Sequence, residues 1–287
     1  MTASGAEGRR DPLLERCLFV YAPILFFVVF LIGPFYWMAV TALKPDSELY
    51  DGSRSPLYVA KPSLAHFTYL LFETDFLTWT RNTLLVAAAA TLIALLMGVP
   101  AGYALARLKF PGADLVGTSI FVTYLVPTSL LFIPMVDVMG RLGLYDNIWG
   151  LVAVYPTFLV PFVTWLMAGY FRTIPTELED CGRIDGLTRF GAMWRIAVPL
   201  ARPGILSAGI FAFTLSWNEF IYALTLVSAS AERTIPVGVL VQLTRADFYF
   251  WGPLMAGALL GSVPIAIIYS LFVDQYASGL TAGAVKG

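Results

Sequence analysis

The chain has 287 residues, 58% of them hydrophobic and 13% charged, with a formal net charge of −1 and a mean hydropathy of +0.75. A soluble domain carries about 25% charged residues, so this chain lacks the polar surface that a water-soluble globule needs. Eighteen Lys and Arg without a basic stripe exclude a nucleic-acid partner, and a single histidine, His66, excludes a His-based metal centre.

In chain order, residues 1–16 read as a polar cytosolic N-terminus carrying Arg9, Arg10 and Arg16. The apolar run that follows is longer than the about 7–15 residues of a signal-peptide core, and no small-residue cleavage site is evident. Residues 17–43 therefore read as a retained first span. A span needs about 20 mainly apolar residues, and six stretches qualify: Cys17–Thr41, Trp79–Leu105, Leu115–Val138, Trp149–Tyr170, Gly204–Ser228 and Gly252–Phe272. Each must be helical, because lipid offers the backbone no other partner. Gly98 and Gly102 share one face of the second span, a spacing that permits close packing. The fold class is an all-α polytopic membrane protein of about six helices.

Lys and Arg near the span ends set the orientation. With both termini inside, the inner segments hold Arg107, Lys109, Arg172, Arg183, Arg189, Arg195, Arg202 and Lys286 besides the N-terminal arginines; fewer fall outside. Residues 44–78 are then a long outer segment, Arg141–Asn147 a short one, and 229–251 a polar and aromatic outer loop. Residues 79–275 form the core of five further spans, and 276–287 a cytosolic tail. Cys17 and Cys181 lack ligand spacing and read as unpaired thiols in a reducing compartment.

The polar stretch 173–203 separates the fourth and fifth spans. Thr176 with Glu179 three residues on spells a capping box, and Pro175 precedes it. Gly186 interrupts the helix that starts there. A second short helix follows, with Phe190, Met193, Trp194 and Ala197 on one face and Pro199 at its end; Pro203 opens the fifth span. Physics leaves two readings open: a hairpin lying at the headgroups, or a protein docking surface.

The stretch resembles the EAA loop of ABC importer permeases. That pattern is Glu-Ala-Ala, three residues, Gly, nine residues, then Ile-x-Leu-Pro. Here Asp180, Cys181 and Gly182 take the first three places, and Asp185-Gly186, Ile196 and Pro199 follow in register. Asp180 is one methylene shorter than the family's Glu, and Cys-Gly replaces Ala-Ala. Glu179 and Asp180 remain alternative carriers of the acidic contact. Pro111-Gly112, Arg81-Asn82-Thr83, Trp217-Asn218-Glu219-Phe220 and the tail from Gly279 resemble the MalG-type subunit of carbohydrate importers, so the likeness covers nearly the whole chain.

The resemblance implies a type I ABC importer permease in a bacterial or archaeal inner membrane, in contact with lipid. Its implied partners are a second permease subunit, two copies of an ABC ATPase and a periplasmic or lipoprotein solute-binding protein. The sequence has no GxxxxGK[ST] loop, so it is not the ATPase; ATP and Mg belong to that partner, and this chain binds no cofactor. The ATPase-coupling residues implied are Glu179, Asp180, Cys181, Gly182, Asp185, Gly186, Ile196 and Pro199. The tail residues Gly279, Leu280, Thr281, Ala282 and Gly283 are implied to reach the ATPases as an extended peptide. Phe248, Tyr249 and Phe250 in the outer loop are candidates for binding-protein contact or, with Trp251, for an interfacial belt. Asn218 and Glu219 are candidates for the translocation path or the permease interface, with plain helix–helix hydrogen bonding as the alternative. The implied cargo is a sugar or sugar derivative, with a glycerol phosphate ester as the alternative; an ion-coupled secondary transporter would leave the EAA-type loop unexplained.

Overall fold

In a computed structural model, the structure describes residues 16–245 and 248–281. The outer and inner ends are named after the Lys/Arg bias above. The first span is α1 (Cys17–Leu43), followed outside by two short helices, α2 (Asp46–Leu49) and α3 (Ala65–Phe72). The second span, α4 (Phe76–Arg107), starts three residues before the sequence reading placed it. The third is a bent pair, α5 (Ala113–Leu125) and α6 (Thr128–Arg141), and the fourth is α7 (Ile148–Phe171). The polar stretch folds into α8 (Glu177–Ile184) and α9 (Arg189–Leu200). The fifth span is α10 (Arg202–Trp217), then α11 (Ile221–Leu226); outside lie α12 (Ile235–Leu243) and a two-stranded hairpin, β1 (Thr244–Arg245) with β2 (Phe248–Tyr249). The last helix is α13 (Trp251–Thr281), kinked at Phe272 (φ −121°, ψ 17°), where the span ends.

The main core lies where α4, α7 and α10 meet. Val86, Ala90 and Ala94 of α4 pack with Tyr155, Leu159, Val163 and Met167 of α7 and with Ala208 and Ala212 of α10. The small residues of α4 continue to Gly98 and Gly102, where the two backbones nearly touch. A Cβ on Gly98 would sit 2.6 Å from Val163 Cγ1; one on Gly102 would sit 2.7 Å from Met167 Cβ and 2.9 Å from the Ala168 amide nitrogen. The spacing that merely permitted close packing is used for it. A second core gathers Leu70, Trp79, Trp217, Val239 and Ala256 toward the outer end. By contrast, α1 exposes apolar side chains on every side from Leu18 to Trp37 and is buried only at Val40, Thr41 and Ala42. A helix apolar all round needs lipid or another chain about it.

Two of the six expected spans are broken. The third bends by 95° between Leu125 and Thr128. Pro127 lacks an N–H and drives Val126 out of the helical region (φ −67°, ψ 124°). The fifth does not run from Gly204 to Ser228. It stops at Trp217, and Asn218–Phe220 separate it from α11. The outer stretch 229–251, read as a loop, contains the apolar helix α12. Pro199 does not end the second short helix: a π turn at Met193–Ala197, closed by the Val198 amide on the Met193 carbonyl, widens the backbone and the helix continues to Leu200. The wider turn spares the clash a proline ring makes with the carbonyl four residues back. Gly279, Leu280 and Thr281 lie in α13, so they are helical and not extended; glycine's helix cost of about 1 kcal/mol is borne there. Ala282 and Gly283 lie outside the described residues.

The long outer segment is tied down by its own polar groups. Lys44 Nζ donates to the Ser55 carbonyl (2.6 Å), and the Glu48 carboxylate accepts from the amides of Ala60 (2.9 Å) and Lys61 (3.2 Å). His66 Nε2 lies 2.8 Å from the Lys44 carbonyl, which only accepts, so the proton sits on that nitrogen. The one histidine is a packing and hydrogen-bonding residue, covered by Gly252.

Replacing Gly102 by Val forces a branched Cβ into the α7 backbone, which cannot swing aside. We expect a loss of about 1–3 kcal/mol, read as a lowered unfolding temperature of the detergent-solubilised chain; an unchanged temperature contradicts the close contact.

Candidate functional site

The inner joint is built by α8 and α9. Gly186 has φ +96°, which L side chains avoid. Its amide donates to the Arg183 carbonyl (3.1 Å) and the Leu187 amide to the Gly182 carbonyl (3.0 Å), the paired bonds of a Schellman stop. Thr188 then caps α9, its Oγ1 accepting from the Gly191 amide (3.1 Å). The two helices cross where Ile196 meets Gly182: a Cβ there would lie 2.3 Å from Ile196 Cδ1. An Ala in the place of Gly182, as the motif has it, would displace that methyl. The second short helix does not keep its four apolar residues on one face. Met193 and Ala197 are buried, while Phe190 and Trp194 face out with rings 6.1 Å apart. Leu178, Cys181, Ile184 and Asp185 are also exposed. Ile184 is 85% exposed, a large apolar side chain beside acidic ones at the aqueous edge, as at a docking surface.

Adjacent carboxylates diverge at this joint. Glu179 does not cap the helix; Thr176 makes no side-chain cap bond either. Its Oε2 accepts from the Tyr103 hydroxyl (2.6 Å) and its Oε1 from Arg107 Nε (2.7 Å), while Arg107 Nη2 donates to the Ile174 carbonyl (2.6 Å). Both charged side chains are nearly fully buried, at 9% exposure for Arg107 and 8% for Glu179. A charge-assisted bond to a guanidinium is stronger than one to a backbone amide, which explains why the capping position is given up. Asp180 points the other way, 62% exposed, with Arg183 at 3.3 Å; such a surface pair holds little. Tyr103 and Arg107 escaped the sequence reading, which had no signal linking them to a residue more than 70 positions on.

The break in the fifth span has its own polar lock. Glu219 accepts from the amides of Tyr222 (2.9 Å) and Ala223 (3.0 Å), which start α11, and from the Tyr155 hydroxyl of α7 (2.8 Å). Its carboxylate is thus spent on helix ends and packing. Asn218 is exposed, and its Nδ2 turns back to the Thr214 carbonyl (2.9 Å). Asn218 borders a cleft of about 670 Å3 that also takes Phe35, Trp217, Leu240 and Ser262. A second cleft, about 640 Å3, opens nearer the inner end between α5, α7 and α10, with Thr118, Phe121, Trp165, Tyr170 and Ser207 on its walls. Asp137, another polar residue near a span end, pairs with Arg141 at 2.9 Å. Among the described residues no group of His, Cys, Asp and Glu is arranged to hold a metal ion, and Cys17 and Cys181 are free and exposed.

At the outer end, the beginning of α4 holds the segment that leads to the hairpin. Trp79 Nε1 donates to the Ser230 carbonyl (3.0 Å), Asn82 Nδ2 to the carbonyls of Ala231 (2.8 Å) and Arg233 (3.0 Å), and Thr83 Oγ1 accepts from the Ile235 amide (2.8 Å). Asn82 and Thr83, part of the run that resembles the carbohydrate importers, thus fasten this outer segment to α4. The short outer loop joins in: Asp146, at φ 55°, accepts from the amides of Ser228 (2.7 Å) and Ala229 (2.8 Å), and Glu232 from that of Ile148 (2.9 Å). Phe248 and Tyr249 stand exposed on the hairpin, whereas Phe250 packs on the outer core. Trp251 stacks on Tyr249 at 5.2 Å.

The chain matches the family described as "Binding-protein-dependent transport system inner membrane component" over residues 98–281. It is similar to the sulfoquinovosyl glycerol transport system permease protein SmoH of Agrobacterium fabrum, 35% identical over 88% of each chain. It is also similar to the trehalose transport system permease protein SugB of Mycobacterium tuberculosis, 34% identical over 88% of this chain and 92% of that one. A chain of a bacterial ABC transporter involved in the import of the acidic polysaccharide alginate superposes with a TM-score of 0.75 over 91% of this chain and 97% of its own, at 22% identity; that likeness concerns the fold.

The amides of Ala229 and Ser228 hold Asp146 below the usual aspartate pKa. A depressed folded pKa stabilises the clip above the unfolded value, near 3.9, and the contribution is lost as pH falls through the lower folded one. The protection of the Ser228 and Ala229 amides, exchange measured against the intrinsic rate at each pH, should therefore hold from neutral pH into mild acid and fall only below it; Asp146→Asn should speed exchange at neutral pH. Equal exchange in the two proteins at neutral pH contradicts the clip.

Proposed function

Since the chain belongs to the binding-protein-dependent transport system inner membrane component family, as a multi-pass permease subunit and not an enzyme, we propose that it forms half of the translocation path of an ATP-driven importer for a sugar or sugar derivative. The observation that carries the reading is the inner joint: two short helices locked at a left-handed Gly186, rooted in the spans, with Asp180, Ile184, Phe190 and Trp194 facing water. A chain without a phosphate loop needs another to supply the energy, and a rigid projecting joint suits a partner that moves. Two ATPase copies, holding ATP and Mg, close on nucleotide and part after hydrolysis; each carries a joint of this kind with it, and the attached spans switch the path between outward- and inward-facing. The sugar cargo rests on the relatives named above, which are named for trehalose and for sulfoquinovosyl glycerol.

Within that joint, Asp180 is the acidic contact to the ATPase. Its exposure supports this, as does the engagement of both Glu179 oxygens inside the chain. Cys181, Gly182, Asp185, Ile196 and Pro199 shape the surface around it, and the tail from Gly279 through Gly283 provides a second contact. The other half of the path is a second permease. Exposed Thr118, Ser119 and Thr123 on α5 support it, because polar groups in a span avoid lipid and face a cavity or a neighbour; so does α1, unburied along most of its length. Asn218, beside its cleft, is the better of the two fifth-span candidates for the path. Phe248 and Tyr249 on the hairpin offer the outer contact to the solute-binding protein.

Proteoliposomes holding this chain, its partner permease, the ATPase and the binding protein should take up sugar only with ATP inside; uptake without the ATPase, driven by an ion gradient, overturns the reading. Gly186→Val forces a β-branched residue into the left-handed region at a local cost of about 1–3 kcal/mol. It should abolish uptake while the chain remains in the membrane. Asp180→Lys should cut co-purification of the ATPase about tenfold or more, the scale of a lost interface charge pair; undiminished co-purification removes Asp180 from the contact.

A further inference from the structure

The buried triad of Tyr103, Arg107 and Glu179 has no place in docking, since it faces away from solvent, and a buried ion pair is weak support for stability alone. Its position is informative. Tyr103 and Arg107 are the inner end of α4, and Glu179 lies in α8, so the joint is fastened to α4 by a doubly bonded carboxylate and, through Arg107 Nη2, to the Ile174 carbonyl just before α8. The other end of the same helix carries Trp79, Asn82 and Thr83, which hold residues 230–235, the lead-in to α12 and its hairpin. Between these points runs one uninterrupted helix of 32 residues, about 48 Å long at 1.5 Å per residue. Pro100 is its weak point, and the α7 backbone braces it on both sides, at Gly98 and Gly102.

We propose that α4 is a strut that transmits movement of the inner joint to the outer hairpin, with Glu179 and Arg107 as positioning residues at its inner pin and Asn82 at its outer one. The proposal rests on the reading above, in which an ATPase moves the joint. A span fixed only by apolar packing slides along its neighbour at small cost; one pinned by directional bonds at both ends carries a displacement along its axis. The pin must resist pulling, and a carboxylate held between a guanidinium and a phenol inside a dry pocket does so better than a surface pair screened by water.

The test uses the assembled transporter in nanodiscs with Val241→Cys, 39% exposed on α12 just before the hairpin, as reporter; Cys17 and Cys181 stay, and labelling is read at residue 241 by peptide mass spectrometry. The probe is the labelling rate of that thiol by a hydrophilic maleimide, with and without ATP and vanadate. In the reporter background, ATP and vanadate should change the rate about fivefold or more, the scale of an ordinary coupling between sites. Glu179→Gln, the double variant Arg107→Met with Glu179→Met, and Asn82→Ala should each lose most of that change while the ATPase still co-purifies and hydrolyses ATP. The double variant matters because a single apolar substitution strands a buried charge, whereas removing both leaves none. A full response in these variants overturns the strut and leaves the transport reading standing. Loss of ATPase co-purification in Glu179→Gln makes Glu179 a docking residue and overturns it too, as does failure of all three variants to assemble, which assigns the bonds to folding. A reporter background that does not respond to ATP and vanadate at all overturns the transport reading and the strut together.

Discussion

The close approach of α4 to α7 across Gly98 and Gly102 is the constraint on which the other inner contacts depend. Without an apolar driving force between helices in lipid, packing has to come from surface fit and from polar bonds that have no better partner. Two glycines a turn apart let the backbones approach until a Cβ would sit 2.9 Å from the Ala168 amide nitrogen. That closeness brings Tyr103 and, one turn further on, Arg107 over the start of α8. It also sets α7 where Tyr155 reaches Glu219, and so fixes the broken fifth span. The same α7 presents Tyr170 to Gly204, whose missing Cβ leaves room for the ring, and thereby seats α10.

The carboxylates inside this apolar molecule are consequently not scattered. Glu179 and Glu219 each hold two or more donors and tie elements distant in sequence. On the outer side the work is done by amide and carbonyl partners of Asn82, Thr83, Asp146 and Glu232, which gather the short loops around the head of α4. Each of these side chains satisfies backbone groups that would otherwise be left bare at a helix start or in a turn.

Much of the fold is visible in hydropathy, because the requirement for long apolar helices is nearly absolute in lipid. The bend at Val126 has a local cause in Pro127, but a proline is tolerated inside a membrane helix and does not by itself specify a 95° bend. The break at Asn218–Phe220 was not visible: two polar residues lower a 25-residue average only slightly, and the carboxylate that caps α11 comes from the break itself. The apolar helix α12 was hidden in the same way, averaged with the charged and aromatic residues of the hairpin. At the joint, the spacing of Gly186, Ile196 and Pro199 was legible as a pattern. The rule that pairs Thr176 with Glu179 was not followed, because Arg107, distant in sequence and near in space, offers the carboxylate a charged donor. Local rules rank neighbours along the chain, and here the winning partner is not one.

The opposed directions of Glu179 and Asp180 bear on how separable the joint is. It is continuous in sequence and looks like a cassette that could be exchanged between permeases to change which ATPase they accept. Its outward face could travel that way, since Asp180 pairs with Arg183 of the same helix and Ile184 stands exposed. Its inward face could not. A transplanted stretch brings a carboxylate that expects a guanidinium and a phenol from the second span of the recipient, and a recipient lacking either would hold a stranded charge under its own coupling surface. Partner choice and internal assembly thus share one helix turn, and a graft that respects the boundary of the polar stretch would still need residues 103 and 107 to come with it.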